Sequence, residues 1–257
     1  MKQNMMAEER RRAISRQLNR RMSLTVEEAA ELYNVSMDTV RRDFRYLASL
    51  GHAVRTYGGI VHSDIYAREH TIRERTNLQH EAKARIGRYA ATLIDASETV
   101  AIDAGTTAIE VVPNLIGVPG LTLLTYSLDV ARAVTDADLG DCFLLGGMVR
   151  RNTYTCVGPE TRSTLKNFHA TTLLLATNAI SLKEQLMTPN HMEAEIKRGL
   201  IEISRRVILL ADSSKLGRLA LVRFGTLDDV DMLITDSGAD AGLLEKLGNS
   251  GVEIVCV

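Results

Sequence analysis

Residues 103–107, Asp-Ala-Gly-Thr-Thr, place a carboxylate, a glycine and two hydroxyls directly after the apolar run at 99–102. Gly105 permits close backbone approach, and Thr106 and Thr107 offer hydroxyls and N–H groups at the start of a helix. That combination suits a phosphate or another anion. It is equally the make-up of an ordinary strand–helix turn capped by threonine, and the motif alone leaves both open. In "DSSK", Lys215 follows the apolar run "VILLA", where a cation completes an anion site or simply meets solvent. Glu193 and Lys197 lie four apart with the acid first. That is the spacing of a surface ion pair of about 0.3–0.5 kcal/mol, or of a pair with one member at a pocket edge. Gly146-Gly147 open a basic, flexible stretch through Arg150 and Arg151, suited to closing over an anion or to a subunit contact. No G-x-G-x-x-G and no Walker lysine are present, which argues against a dinucleotide or nucleoside triphosphate. The six histidines show no paired spacing, so neither a metal nor a cofactor is expected.

A second kind of chemistry is concentrated in "SMDTVRRDF", residues 36–44. Val40, Phe44 and Leu47 share one helical stripe and must face a core. Asp38, Arg41, Arg42, Arg45 and Ser49 point the other way. A lone helix with such a face is usually just solvated. Here the face sits in a longer pattern. Ile14 and Leu18 mark a first helix. Thr25 and Glu28 form a capping box for "VEEAAELY". "YNV" is a tight connection, Ser36 an N-cap, Gly51 a C′ glycine, and "HAVRTYGGIV" a hairpin or wing. Helix, turn, helix and wing together favour DNA binding. The helix at Ser36 enters the major groove N-terminus first. Ser36, Met37, Asp38 and Thr39 approach base edges or the first phosphates, and Arg41, Arg42 and Arg45 reach phosphate or guanine. Arg55 and Tyr57 on the wing touch backbone or minor groove.

After a polar, partly helical connector at 63–79, helices and short apolar strands alternate: "TVAID", "LTLLTY", "CFLLGG", "TTLLLAT", "RVILLAD", "DMLIT" and "VEIVCV", with helices between them, "TTAIEVVPNLI" among these, interrupted or ended near Pro113. Continuous apolar strands buried on both faces indicate a doubly wound, largely parallel α/β sheet. Ligands then sit beyond the carboxyl ends of the strands. The segments there are 103–107, 126–127, 146–147, 177–181 and 212–215, with Tyr126, Ser127, Gly147 and Asn178 as further candidates for the effector site. The expected division is a winged helix-turn-helix over 1–62, a linker over 63–79 and an effector-binding α/β domain over 80–257.

Composition agrees. Charged residues are 25% of the 257 and apolar ones 45%, ordinary for a globular chain. Net charge is −1, but residues 1–62 carry eleven Lys/Arg against seven Asp/Glu, and the remainder nets −5. A basic module on an acidic body implies that only the module meets nucleic acid. Three cysteines without a CxxC, a polar N-terminus and no long apolar span suggest reduced thiols and a cytoplasmic location.

The stretch "LTVEEAAELYNVSMDTVRRDFRYLASLGHAVRTYGGIV" resembles the winged helix-turn-helix of the DeoR family of bacterial transcription regulators. Ser36, Thr39, Arg41, Arg42, Asp43, Gly58 and Gly59 fall on that family's pattern. "IDAGTT", "EAEIKR" and "LLADSSKLGR" followed by "DMLITD" resemble its C-terminal sensor domain, which is similar in fold to ribose-5-phosphate isomerase. The chain departs from the pattern at Tyr126, commonly Asn, and at Asn178-Ala179, commonly Asp-Gly. The resemblance implies a repressor of a sugar-utilisation operon, a homodimer or homotetramer on double-stranded operator DNA, with a phosphorylated sugar or sugar-derived metabolite as effector. The alternative is a sugar-phosphate isomerase with an appended DNA-binding domain. Asp103 and Glu193 are its available carboxylates, but no compact acid–base constellation accompanies them.

Overall fold

The computed structural model describes residues 6–21, 23–51, 53–55, 58–62, 71–183 and 185–257. The chain divides into two compact units, Met1–Glu69 with Gly217–Leu221, and His70–Leu216 with Val222–Val257.

In the first unit, α1 (Ala7–Arg21), α2 (Val26–Tyr33) and α3 (Met37–Ser49) pack with three short strands, β1 (Ser23–Thr25), β2 (Ala53–Arg55) and β3 (Gly59–His62). Local chemistry sets the helix ends. The Thr25 hydroxyl accepts from Glu28 N at 3.1 Å while Glu28 Oε2 accepts from Thr25 N at 2.9 Å, and Ser36 Oγ accepts from Thr39 N at 3.2 Å. Gly51, at φ +77°, ends α3 in the left-handed region. Ile14, Leu18, Val40, Phe44 and Leu47 form the core with Leu24, Ala29 and Ile60. The wing is β2 paired antiparallel with β3, and β3 pairs on its other side with β1. This third strand was not expected from the sequence.

The second unit starts at α4 (Ile72–Thr76), inside the segment taken from the sequence as connector, and α5 (His80–Ala91). Among the described residues, seven strands form one parallel sheet: β4 (Thr99–Ile102), β5 (Thr122–Thr125), β6 (Asp141–Leu144), β9 (Ala170–Ala176), β12 (Ser204–Leu210), β14 (Met232–Thr235) and β15 (Glu253–Cys256). Their spatial order is β15-β14-β12-β9-β4-β5-β6. The order runs outward in both directions from the β4/β9 pair, which is the switch point of a doubly wound sheet. Alternate side chains feed opposite faces, Leu173, Leu175 and Leu209 into one core and Leu174, Ile208 and Leu210 into the other. Helices include α6 (Leu128–Asp136), α7 (Pro159–Leu165), α8 (His191–Glu202) and α9 (Ala241–Gly248).

One sequence expectation changes, and two details are added. The stretch after Gly147 is an antiparallel hairpin, β7 (Met148–Arg150) with β8 (Thr155–Val157), rather than a flexible segment. "TTAIEVVPNLI" holds a 3-10 helix, Ala108–Asn114, with Pro113 inside it. A second sheet, β10 (Ala179–Ile180), β11 (Gln185–Thr188) and β13 (Val222–Thr226), is antiparallel. No helix among the described residues is long and apolar enough to cross a membrane.

Candidate functional site

On α3 the buried stripe of Val40, Phe44 and Leu47 leaves Ser36, Met37, Asp38, Arg41, Arg42 and Arg45 exposed, with Thr39 half-buried. Arg41 Nη1 donates to Asp38 Oδ1 at 2.9 Å, and Arg45 Nε to the Arg41 carbonyl at 3.4 Å. Arg55 is exposed on β2. Tyr57, the other wing candidate, lies outside the described residues. Asp43 differs from its neighbours. It is 1% exposed and accepts from Arg10 Nε at 2.6 Å and Arg11 Nε at 2.8 Å. It ties α1 to α3 from inside, and Arg11 also lies over the Tyr46 ring at 4.1 Å. Breaking a buried pair by removing one partner costs about 3–5 kcal/mol. Asp43→Ala is therefore expected to lower the denaturation midpoint of the first unit sharply in a urea titration. An unchanged midpoint would show that the two arginines do not depend on it.

A crevice opens in the second unit at the switch point. Residues 104–107 beyond β4 and 176–178 beyond β9 line it, together with Arg75 from α4, Lys197 from α8 and Lys215. Gly105, at φ +141°, makes the turn that brings 104–107 to the crevice and lies where a Cβ would meet only the Ala176 methyl. Thr107 makes no capping bond to the 3-10 helix that follows it. Asn178 is oriented by Thr188, whose hydroxyl donates to Asn178 Oδ1 at 3.1 Å. Lys215 Nζ is 3.9 Å from Asp212 Oδ2. The enclosed space is about 20 Å³. That holds one water-sized group, so a larger ligand seats one end here and projects outward.

Beneath the crevice lies a buried polar network. Asp103, fully buried, accepts at Oδ1 from Ala104 N at 2.8 Å and Tyr126 Oη at 2.7 Å, and at Oδ2 from Ala176 N at 2.8 Å. Lys197 Nζ also donates to Asp103 Oδ2, and to the Ala176 carbonyl at 2.9 Å. Burial, and then the Asp103 charge, push the Tyr126 phenol well above its ordinary pKa, so it remains a donor. The surface pair expected between Glu193 and Lys197 is corrected. Both are buried, Lys197 pairs with Asp103, and Glu193 pairs with Arg150 and accepts from Thr153 Oγ1 at 2.7 Å. The reason is that 193, 197 and 200 share the core-facing side of α8 with Ala194 and Ile196.

Lys83 on α5 is 2% exposed, and its ammonium donates to the carbonyls of Arg75, at 2.6 Å, and Leu78. Burial first, with the Lys215 and Arg75 charges, pushes its pKa down to about 8 against the opposing pull of Asp212 and Glu110.

Of the sequence candidates, Gly105, Thr106, Thr107, Asn178 and Lys215 line the crevice. Asp103 and Tyr126 lie below its floor in the network. Ser127 is buried as the N-cap of α6, accepting from Val130 N at 3.3 Å. Gly147 packs where a side chain would run into Thr161, away from the crevice. Sequence reasoning missed Arg75 and did not place Lys197 in the network. Among the described residues, no cluster of metal ligands occurs.

The first unit is thus a winged helix-turn-helix with a basic exposed helix, and the second an α/β domain with a cationic crevice. That is the make-up of a DNA-binding regulator with an attached sensor. A family model described as the DeoR-like helix-turn-helix domain matches residues 10–65, and one described as the DeoR C-terminal sensor domain matches residues 78–237. The HTH-type transcriptional regulator GlpR of Haloferax volcanii is 33% identical over 251 residues, covering 98% of this chain and 98% of its own length. The HTH-type transcriptional repressor GlcR of Bacillus subtilis is 32% identical over 252 residues, covering 98% and 96%. Among solved structures, a transcriptional regulator from Streptococcus pneumoniae is 14% identical with a TM-score of 0.43, covering 65% of this chain and 86% of its own. Ribose 5-phosphate isomerase A from Neisseria gonorrhoeae is 13% identical with a TM-score of 0.40, covering 56% of each chain. The chain belongs to the DeoR family of transcriptional regulators. Its full-length relatives are regulators and repressors, so it is a regulator and not an isomerase.

Proposed function

We propose that this protein represses a sugar-utilisation operon and that a phosphorylated sugar, or a metabolite derived from one, sets its hold on operator DNA. The observation that carries this reading is the crevice at the β4/β9 switch point, where Arg75, Lys197 and Lys215 converge with Thr106, Thr107 and Asn178. Asp103 matches the charge of Lys197, and Arg75 and Lys215 bring further positive charge to the crevice. A phosphate accepts charge-assisted hydrogen bonds from exactly such a set of lysine, arginine and hydroxyl donors. The small enclosed volume admits one phosphate oxygen, and the rest of the phosphate and the sugar lie outside it, near Asn178. On operator DNA, α3 supplies the contacts through Ser36, Met37, Asp38, Thr39, Arg41, Arg42 and Arg45, with Arg55 and Tyr57 on the wing. The protein acts as a dimer or tetramer, because paired half-sites require paired recognition helices. Ligand affinity must differ between the operator-bound and free forms for the signal to pass.

A thermal-shift screen of phosphorylated sugars finds the ligand, and Thr107→Val tests where it binds. This change keeps the side-chain volume and removes the hydroxyl. Operator affinity without ligand is expected to match wild type, while the ligand concentration needed for the response rises at least ten-fold, the value of about one charge-assisted hydrogen bond. A mutant that responds at the wild-type concentration places the phosphate elsewhere.

A further inference from the structure

Arg75 stands apart from the other residues that line the crevice. Those around it come from strand ends, from α8 and from the turn at Lys215. Arg75 comes from α4, the first element of the second unit in chain order after the winged helix. Its Nε is buried without a hydrogen-bond partner, in a structure where the neighbouring carboxylate, Asp103, is fully engaged by other donors. A buried donor that lacks an acceptor calls for a ligand that supplies one. Lys197 and Lys215 line the same crevice, the Lys83 ammonium sits under the Arg75 carbonyl at 2.6 Å, and the Asp212 carboxylate lies 3.9 Å from Lys215 without bonding Arg75 Nε.

Helix α4 cannot hold this position by itself. It is five residues long, well below the length at which a helix is stable in isolation. Its own capping box joins Thr71 and Glu74. Its links to the rest of the unit include the two carbonyls held by Lys83 and the bond from Ile72 N to the Asn152 carbonyl, 2.9 Å, at the tip of the β7–β8 hairpin. Lys197 is matched by Asp103 and Lys215 stands 3.9 Å from Asp212, so Arg75, on a weakly anchored helix, is the crevice cation that an incoming anion serves most directly.

We propose that Arg75 is the residue through which the crevice reports its occupancy: an anion bound by Thr106, Thr107 and Lys215 on the sheet side is gripped by Arg75 from α4, and the grip fixes α4. The inference rests on the reading of the crevice as a phosphate site. It divides the labour within that site. The sheet-side residues give affinity, and Arg75 gives affinity together with coupling, because it alone of the set lies on the element that follows the DNA-binding unit in the chain.

Hydrogen–deuterium exchange of the full chain, titrated with inorganic phosphate at constant ionic strength, tests this. In wild type, phosphate is expected to slow exchange in both 103–110 and 71–79. In Arg75→Gln, protection of 103–110 needs about ten-fold more phosphate or beyond, and 71–79 exchanges as if no ligand were present. The side chain is partly exposed, so the variant leaves no cavity, and unchanged exchange in Ala170–Ala176 reports the intact sheet. Two outcomes overturn the proposal while sparing the phosphate site: equal protection of 71–79 in variant and wild type at matched protection of 103–110, or protection in wild type confined to 103–110. A wild type in which 103–110 never responds removes the phosphate site itself, and the role of Arg75 with it.

Discussion

Asp103→Ala is expected to unfold the second unit at much lower denaturant than wild type, with a loss of about 3–5 kcal/mol. The substitution leaves the Tyr126 hydroxyl and the amides of Ala104 and Ala176 without their acceptor, and the buried Lys197 ammonium without its counter-charge and with the Ala176 carbonyl still accepting from it. An unpaired buried cation dominates that cost, because its desolvation is no longer offset. The double variant Asp103→Ala/Lys197→Met removes the charge as well and is expected to recover a large part of the loss, which a double-mutant cycle measures directly. Guanidinium titration followed by circular dichroism reads both. Equal midpoints for Asp103→Ala and wild type would show that the network contributes nothing to stability, and that the charges beneath the crevice serve the ligand alone.

The other large effect lies on α3. With the operator selected in vitro from random duplexes, Arg42→Ala is expected to weaken binding ten- to a hundred-fold, about 1–3 kcal/mol, with no more than about 0.5 kcal/mol change in stability because the side chain is exposed. The salt dependence separates two modes. Loss of a phosphate contact lowers the slope of log affinity against log salt by about one, whereas loss of a guanine contact keeps the slope and relaxes sequence preference at one position. Arg41→Ala is expected to cost less, since Arg41 must first leave Asp38, 2.9 Å away. Operator affinity undiminished in both single variants would mean that another face of the unit meets DNA.

Much of this structure is written in short-range pattern. Capping box, N-cap, C′ glycine and the 3.6 period of α3 each depend on residues within a few positions of one another, so they can be read from the chain directly. The parallel sheet is also legible, because runs such as "TTLLLAT" are apolar on both faces. The order of its strands is not. Five segments qualify as strand ends that could meet a ligand, and only the pairing of β4 with β9 selects 104–107 and 176–178 from among them. Lys197 was legible in part. Its place between Ala194 and Leu200 on the apolar stripe of α8 marks it as a buried charge, but the (i, i+4) spacing from Glu193 leaves a surface pair and a place at a pocket edge both open, and only the fold selects the second for Lys197. Nothing local marks Arg75. It lies in a polar stretch that resembles a connector, and its neighbours in the crevice are remote in sequence. Asp43 belongs to the same run as Arg41 and Arg42, yet burial gives it a structural task that the run alone does not reveal.

The crevice draws its wall from residues 75, 104–107, 176–178, 197 and 215, whereas α1 to α3 and β1 to β3 of the first unit all come before residue 63, and only its segment Gly217–Leu221 comes later. Translation proceeds at roughly 5–20 residues per second, and N-terminal domains fold first. A newly made chain therefore carries the helices and strands of its winged helix for on the order of ten seconds or more before the ribosome supplies Lys215 and the segment that joins them, Gly217–Leu221. During that interval the polypeptide holds its recognition helix and still lacks Lys215 from the wall of the crevice, so the two units reach their final make-up together, late in synthesis.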